Sequence, residues 1–371
     1  MSCPISVISR VPAAAPAFLY HDLTPRILTT PKHQAYIKIA EGCDHPCSFC
    51  IIPQLRGAFR SRRFESVVRE AENLAAAGTR EITLIGQDTT SYGEDLGLHN
   101  GLALLLEKLA GVPDLLWVRF LYAYPNRVTQ KLLDTLAAHP RLAKYIDMPL
   151  QHASRNVLAR MKRGSNGDAF LKLLERMRAT IPGVALRTSF IVGFPGETRA
   201  DFEELYQFVA AAELDWMGVF EYSDVDNAAS HSLEDKVDAE TIEERRARLM
   251  GLLRKISREK LQAFKGTTQT ALVEGPSKDN PLVWEARIEG MAPDIDGKLY
   301  LTDIEQPGGE LAVPSDVAKV EITKTDAYDL IGRVVEIQPR PAARSAPRIP
   351  ESPAAEKLTR ISTGAPLRVL G

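Results

Sequence analysis

EGCDHPCSFC, residues 41–50, places Cys43, Cys47 and Cys50 in a Cys-x3-Cys-x2-Cys spacing directly after a short apolar run at 35–40. Three of the four cysteines in this 371-residue chain therefore lie within eight residues. A disulfide framework spreads its cysteines out, whereas a tight group in a large, cysteine-poor chain points to a metal site. Three thiolates can hold three corners of a [4Fe–4S] cube and leave the fourth iron without a protein ligand. An exogenous chelate can bind there and, in a buried site, receive an electron directly. The competing reading is a structural zinc site completed by His45 or another histidine. Such sites usually take four protein ligands, commonly as two separated pairs. No second pair exists here, and His45 sits between two of the thiols.

Outward from the loop, apolar runs at 35–40, 81–86, 116–120, 145–150, 185–192 and 216–220 alternate with helical patterns. The helical patterns fall at 65–77, 102–109, 129–138, 156–161, 169–179 and 201–212. Strand–helix alternation predicts right-handed βαβ units and a parallel sheet. Six such units suit an α/β fold of the partial or closed β/α (TIM-like) barrel type better than a doubly wound sheet. A long charged helix at about 239–265 closes that domain. From 268 the pattern changes to short strands at 269–273, 283–288, 298–301 and 317–323, with turn residues at 290–297 and 307–309. That predicts a small all-β barrel. The expected organisation is a linker arm at 1–31, the β/α barrel at 32–266, the all-β module at 267–337 and a disordered, proline-rich tail at 338–371.

A net charge of −2 gives no global reason to expect nucleic-acid or acidic-membrane binding. No apolar run approaches the roughly 20 residues of a membrane span, and the start of the chain lacks the apolar core of a signal peptide. The expected location is the cytoplasm, with no membrane partner.

Beyond the cysteine loop, five stretches carry a resemblance: 35–57 (AYIKIAEGCDHPCSFCIIPQLRG), 81–92 (EITLIGQDTTSY), 145–154 (YIDMPLQHAS), 186–198 (LRTSFIVGFPGET) and 219–226 (VFEYSDVD). They resemble the radical SAM superfamily and, within it, the methylthiotransferases, above all the branch that modifies an aspartate of the twelfth small-subunit ribosomal protein. The resemblance runs from about 18 to 335. It implies one [4Fe–4S] cluster on Cys43, Cys47 and Cys50, with S-adenosylmethionine (SAM) chelating the open iron and Phe49 as the aromatic before the last cysteine. Reductive cleavage of SAM then yields a 5′-deoxyadenosyl radical that takes a substrate hydrogen. The resemblance also places Gln87 near the SAM amino group, and Arg187, Thr188 and Ser189 near its ribose and carboxylate. It places Gly193, Gly196 and Glu197 near adenine. Read from the residues alone, 193–197 is equally a strand-to-helix turn with Glu197 favoured by the helix dipole. Arg56, Arg60, Arg62 and Arg63 are candidate partners for an anionic cluster, or simply a solvated loop. Tyr122, Tyr124 and Asn126 are placed to face substrate, and His152 to cap or pack.

The segment after the barrel resembles a TRAM domain. Residues 268–335 hold thirteen Asp/Glu against six Lys/Arg. An RNA-phosphate reader needs the opposite sign, so RNA binding is disfavoured. An acidic surface suits a basic small-subunit ribosomal protein, or only keeps the module soluble. The implied activity adds a methylthio group to the aspartate β-carbon, with a reductase as electron donor. The alternatives are a transfer-RNA methylthiotransferase and a one-cluster remnant unable to insert sulfur. Complete family members begin with a further domain carrying three more cysteines for a second cluster. Here Cys3 is the one spare cysteine, and a truncation that removes that domain is the expectation.

Overall fold

The computed structural model describes residues 18–24 and 26–339. Cys3, most of the expected linker arm and nearly all of the expected tail lie outside the described residues. The chain runs from β1 (Gln34–Lys38) into β2 (Ala40–Glu41), the cysteine loop, α1 (Ile52–Arg56) and β3 (Arg60–Ser61). Then come α2 (Phe64–Ala76), β4 (Glu81–Ile85), α3 (Gly101–Ala110), β5 (Trp117–Phe120), α4 (Gln130–Ala138) and β6 (Tyr145–Asp147). The barrel region is completed by α5 (Arg155–Arg160), α6 (Gly167–Thr180), β7 (Ala185–Val192), α7 (Arg199–Ala212) and β8 (Trp216–Glu221).

β1, β4 and β5 form one parallel sheet, β6, β7 and β8 a second, and a parallel bridge from Val118 to Leu142 joins them. Among the described residues β8 does not pair with β1, so the barrel is partial rather than closed. Each strand presents alternate residues to opposite faces. On β7, Leu186, Thr188, Phe190 and Val192 are buried, while Arg187, Ser189 and Ile191 turn to the other, partly open face. The helices cover the buried face with amphipathic stripes: Val67, Ala71 and Leu74 of α2, and Phe202, Leu205 and Val209 of α7, join one core with Ile82, Leu84 and Phe190.

After α8 (Ala239–Gln262), five strands close into a barrel in the order β10-β11-β13-β12-β9, namely β9 (Thr268–Pro276), β10 (Trp284–Ile288), β11 (Leu299–Asp303), β12 (Val317–Thr325) and β13 (Leu330–Ile337). The sequence reading has four of these and lacks β13. Gly332 interrupts that run, and glycine is a weak strand residue in isolation. In the fold it is required, because a β-carbon there would lie 2.6 Å from both the Glu321 carbonyl oxygen and a Val320 methyl.

The turn read at 290–297 does more than reverse the chain. Together with Glu289 it seats itself in the amino-terminal mouth of the partial barrel. The Trp216 indole donates to the Gly290 carbonyl (2.7 Å), Arg119 to the Glu289 carbonyl (3.1 Å) and the Tyr145 hydroxyl to the Asp296 carboxylate (2.7 Å). The small module therefore stops the lower end of the lumen, leaving the carboxy-terminal strand ends for chemistry. No described helix is long and apolar enough to cross a membrane.

Candidate active site

The cysteine loop is tied down from its first residue. Gly42 has φ +82°, and a β-carbon there would fall 2.2 Å from the Ala58 carbonyl oxygen. Its N–H donates to Gln87 Oε1 (3.0 Å) and the Cys43 N–H to the Gly57 carbonyl (3.2 Å). Further on, the Ser48 N–H donates to the Met161 carbonyl (3.1 Å) and its hydroxyl to that of Arg160 (2.7 Å). Phe49 packs with Val157, Met161 and Phe194. The loop is thereby anchored to both β4 and α5.

Cys43, Cys47 and Cys50 open onto a cavity of about 460 Å³ at the carboxy-terminal ends of the strands. Burial pushes the Cys43 thiol up to about 11 and raises Cys50 as well. Burial thus favours the neutral form of those two thiols when no metal is bound. His45 commits its Nε2 to the Asp88 carboxylate (2.7 Å) and stacks on Tyr124 with ring centroids 3.7 Å apart. His45 is thereby held at the cavity wall by Asp88 and Tyr124. Three soft thiols from one anchored loop, opening on a roomy cavity, suit an iron–sulfur cube held at three corners.

Of the residues that the resemblance assigns to SAM, Phe49, Gln87 and Ser189 line this cavity with the cysteines. The others do not. Thr188 faces the helices, its hydroxyl donating to the Met148 carbonyl (2.8 Å) and accepting from the Leu150 N–H (3.0 Å). Arg187 lies lower in the lumen, paired with Asp147 (2.8 Å) and with Asp296 of the small module (3.3 Å). Gly193 and Gly196 are both in the left-handed region, with the space of a β-carbon filled by Ile242 and by the Arg160 guanidinium. Glu197 accepts the N–H groups of Gly193 and Phe194 and pairs with Arg245 (3.2 Å).

The basic stretch does not reach the cavity. Arg62 is buried against Glu70 (2.6 Å), Arg56 lies near Glu41 (3.7 Å), and none of the four lines the cavity. The cation that does is Arg163, which the sequence reading passed over. It follows α5 in a turn with no motif around it, so no local signal marks it.

Two cavity residues carry strained backbone. Tyr122 has φ +63° and Gln151 φ +74°, values that bulky side chains adopt only when their surroundings insist. For Tyr122 the constraint is visible: buried Asp147 accepts its N–H (2.9 Å) while holding Arg187. A continuous polar chain thus runs from Asp296 through Arg187 and Asp147 to the cavity wall. Tyr124, named from the sequence with Tyr122, lines the cavity too, whereas Asn126 lines an adjoining one. His152 is fully buried and accepts the Ser154 N–H at Nδ1 (3.0 Å), a packing and turn role.

Residues 37–209 match the family model of the radical SAM superfamily, and residues 266–335 that of the TRAM domain. A curated "Ribosomal protein uS12 methylthiotransferase RimO" from Solibacter usitatus is 60% identical over 333 residues, 89% of this chain and 71% of that protein. Proteins of the same name from Koribacter versatilis and Anaeromyxobacter sp. (strain K) are 58% and 45% identical, over 87% and 92% of this chain and 64% and 72% of theirs. The chain thus spans roughly two thirds of the length of these relatives. A family so defined carries a [4Fe–4S] cluster and SAM, and the anchored three-thiol loop above the strand ends is where this chain would hold them. On its sequence identity and on the barrel and module it builds, the chain belongs to the uS12 methylthiotransferase (RimO) family.

Proposed function

We propose that this chain performs the radical SAM chemistry of uS12 methylthiolation, with one cluster on Cys43, Cys47 and Cys50 and SAM beside Phe49, Gln87 and Ser189. The observation that carries this reading is the anchored loop, whose three thiols all open into one cavity at the strand ends. When bound, cluster and SAM supply the one-electron cleavage that generates a 5′-deoxyadenosyl radical.

The protein's own residues do the placing. Gln87 fixes the entry to the loop by accepting the Gly42 N–H and donating its amide nitrogen to Glu41 (3.4 Å), and its side chain lines the cavity. Ser189 faces the cavity by strand alternation, and Thr188 behind it is locked to Met148 and Leu150 just past β6. Arg187 acts from below through Asp147, and the 193–197 turn holds the end of β7 against α8. Tyr122 and Phe220, about half exposed at the cavity, are placed to meet the substrate and keep water from the reacting carbon.

The substrate we assign is the uS12 aspartate, modified at its β-carbon in the cytoplasm, with a reductase supplying the electron. Exposed Asp279, Asp303, Glu305 and Glu310 give the small module an acidic face suited to a basic protein and unsuited to RNA phosphate. Mass spectrometry of uS12 from a deletion strain should show the methylthio group lost; an unchanged modification overturns the assignment. Anaerobic reconstitution with reductant and SAM should yield 5′-deoxyadenosine. Its absence would mark a remnant without radical chemistry.

A further inference from the structure

Among the described residues lining the cluster cavity, Arg163 is the one guanidinium or ammonium. It is 8% exposed, and three contacts fix it. Nη2 donates to the Pro149 carbonyl (2.5 Å), the guanidinium carbon lies 4.4 Å from the Tyr124 ring centroid, and Nη1 reaches 3.6 Å from Cys47 Sγ. Tyr124 is itself held by stacking on His45, which Asp88 holds in turn. No carboxylate pairs with Arg163 among the described residues, in contrast to Arg62 and Arg187, so its charge is left to act on the loop.

We propose that Arg163 is a positioning residue for the cluster, acting through Cys47 to raise its reduction potential. This rests on the cluster reading above. Reduction adds one electron, drawn from the reductase, to a site already carrying three thiolates. A fixed guanidinium donating to one of those sulfurs stabilises the more negative, reduced state over the oxidised one, and hydrogen bonds to sulfur and local charge are what set such potentials. Arg163 neither gains nor loses a proton in the step, because a guanidinium stays charged throughout. The Tyr124 platform and the Pro149 carbonyl keep the fork aimed at the sulfur without an anion to cancel it.

The test is a potentiometric titration of the anaerobically reconstituted protein, followed by electron paramagnetic resonance of the reduced cluster, in the parent, R163Q and R163K. Iron and sulfide per chain are measured first. R163Q is expected to load like the parent and to shift its midpoint negative. The expected scale is about tenfold in the reduced-to-oxidised ratio at fixed potential, equivalent to about 59 mV for one electron. R163K, which keeps the charge but loses the planar fork, is expected to shift less in the same direction. A fully loaded R163Q with an unchanged midpoint overturns the proposal. If R163Q does not load, R163K decides: a negative shift supports the proposal and an unchanged midpoint overturns it. A parent protein that takes up no iron and sulfide overturns the three-thiol reading instead.

Discussion

Gly42 shows how little freedom the cysteine loop has. With φ +82° and the Ala58 carbonyl 2.2 Å from where a methyl would stand, Gly42→Ala forces the loop away from the Gly57–Ala58 segment that leads into β3. The expected result is a folded protein whose iron and sulfide per chain fall well below the parent level, measured after identical reconstitution. Strain at such a position is about 1–3 kcal/mol, enough to displace a loop but not to unfold a domain of this size. The cysteines are legible from spacing because their chemistry is local. Arg163 is not, because it meets Cys47 across 116 residues of chain. The same holds for Tyr122: its place after a strand is readable, but its left-handed backbone exists because Asp147, 25 residues on, accepts its N–H.

At the scale of elements, α7 illustrates a motif read correctly in kind and misplaced in detail. The sequence suggests Glu197 as the acid at the helix start. The helix is in fact capped by Thr198, whose side chain accepts the Asp201 N–H while Asp201 accepts the Thr198 N–H, a reciprocal pair. Glu197 instead satisfies the N–H groups of Gly193 and Phe194, at the end of β7. Asp201 gains a further donor in the Ser154 hydroxyl (2.5 Å). Burial works to raise its carboxyl, and the hydrogen bonds from Ser154 and Thr198 outweigh it, holding the group at about 2. The folded value lies below the unfolded one, near 3.9. The stabilisation is therefore complete above about pH 4 and is lost as pH falls through about 2. Asp201→Asn is expected to cost about 1–2 kcal/mol at pH 7. It should also flatten the acid dependence of denaturant midpoints between pH 5 and 2, measured on the metal-free protein.

The whole molecule is held together by charges that no single domain satisfies. Glu81 of β4 is fully buried and pairs with Arg119 of β5 and with Arg287 of the small barrel (2.6 Å). Arg287 also binds Glu274 (2.6 Å), which burial would raise but His33 and Arg287 hold down at about 2. Glu81→Gln leaves two buried guanidinium groups short of a counter-charge, and breaking such a pair from one side costs about 3–5 kcal/mol. The expected outcome is a large drop in the thermal midpoint, with both domains loosened together because the lost charge sits between them. The network also revises the charge count of the module. Of its thirteen acidic residues, Glu274, Glu285, Asp296 and Asp316 are buried or tied up inside the protein. The acidic face offered to a partner is therefore smaller than composition implies.

The order of strands and helices, the cysteine loop and the switch to an all-β module are all written in short-range terms: alternation, amphipathic period and cysteine spacing. Those signals survive in one dimension because the physics behind them acts over a few residues. The seating of 289–296 in the barrel mouth, the partnership of β13 with β12 around Gly332, and the chain from Asp296 to Tyr122 are of another kind. Each joins residues that attract one another only once the backbone has brought them together. Packing, not pattern, selects which face of β7 reaches the cavity and which buried charge meets its opposite.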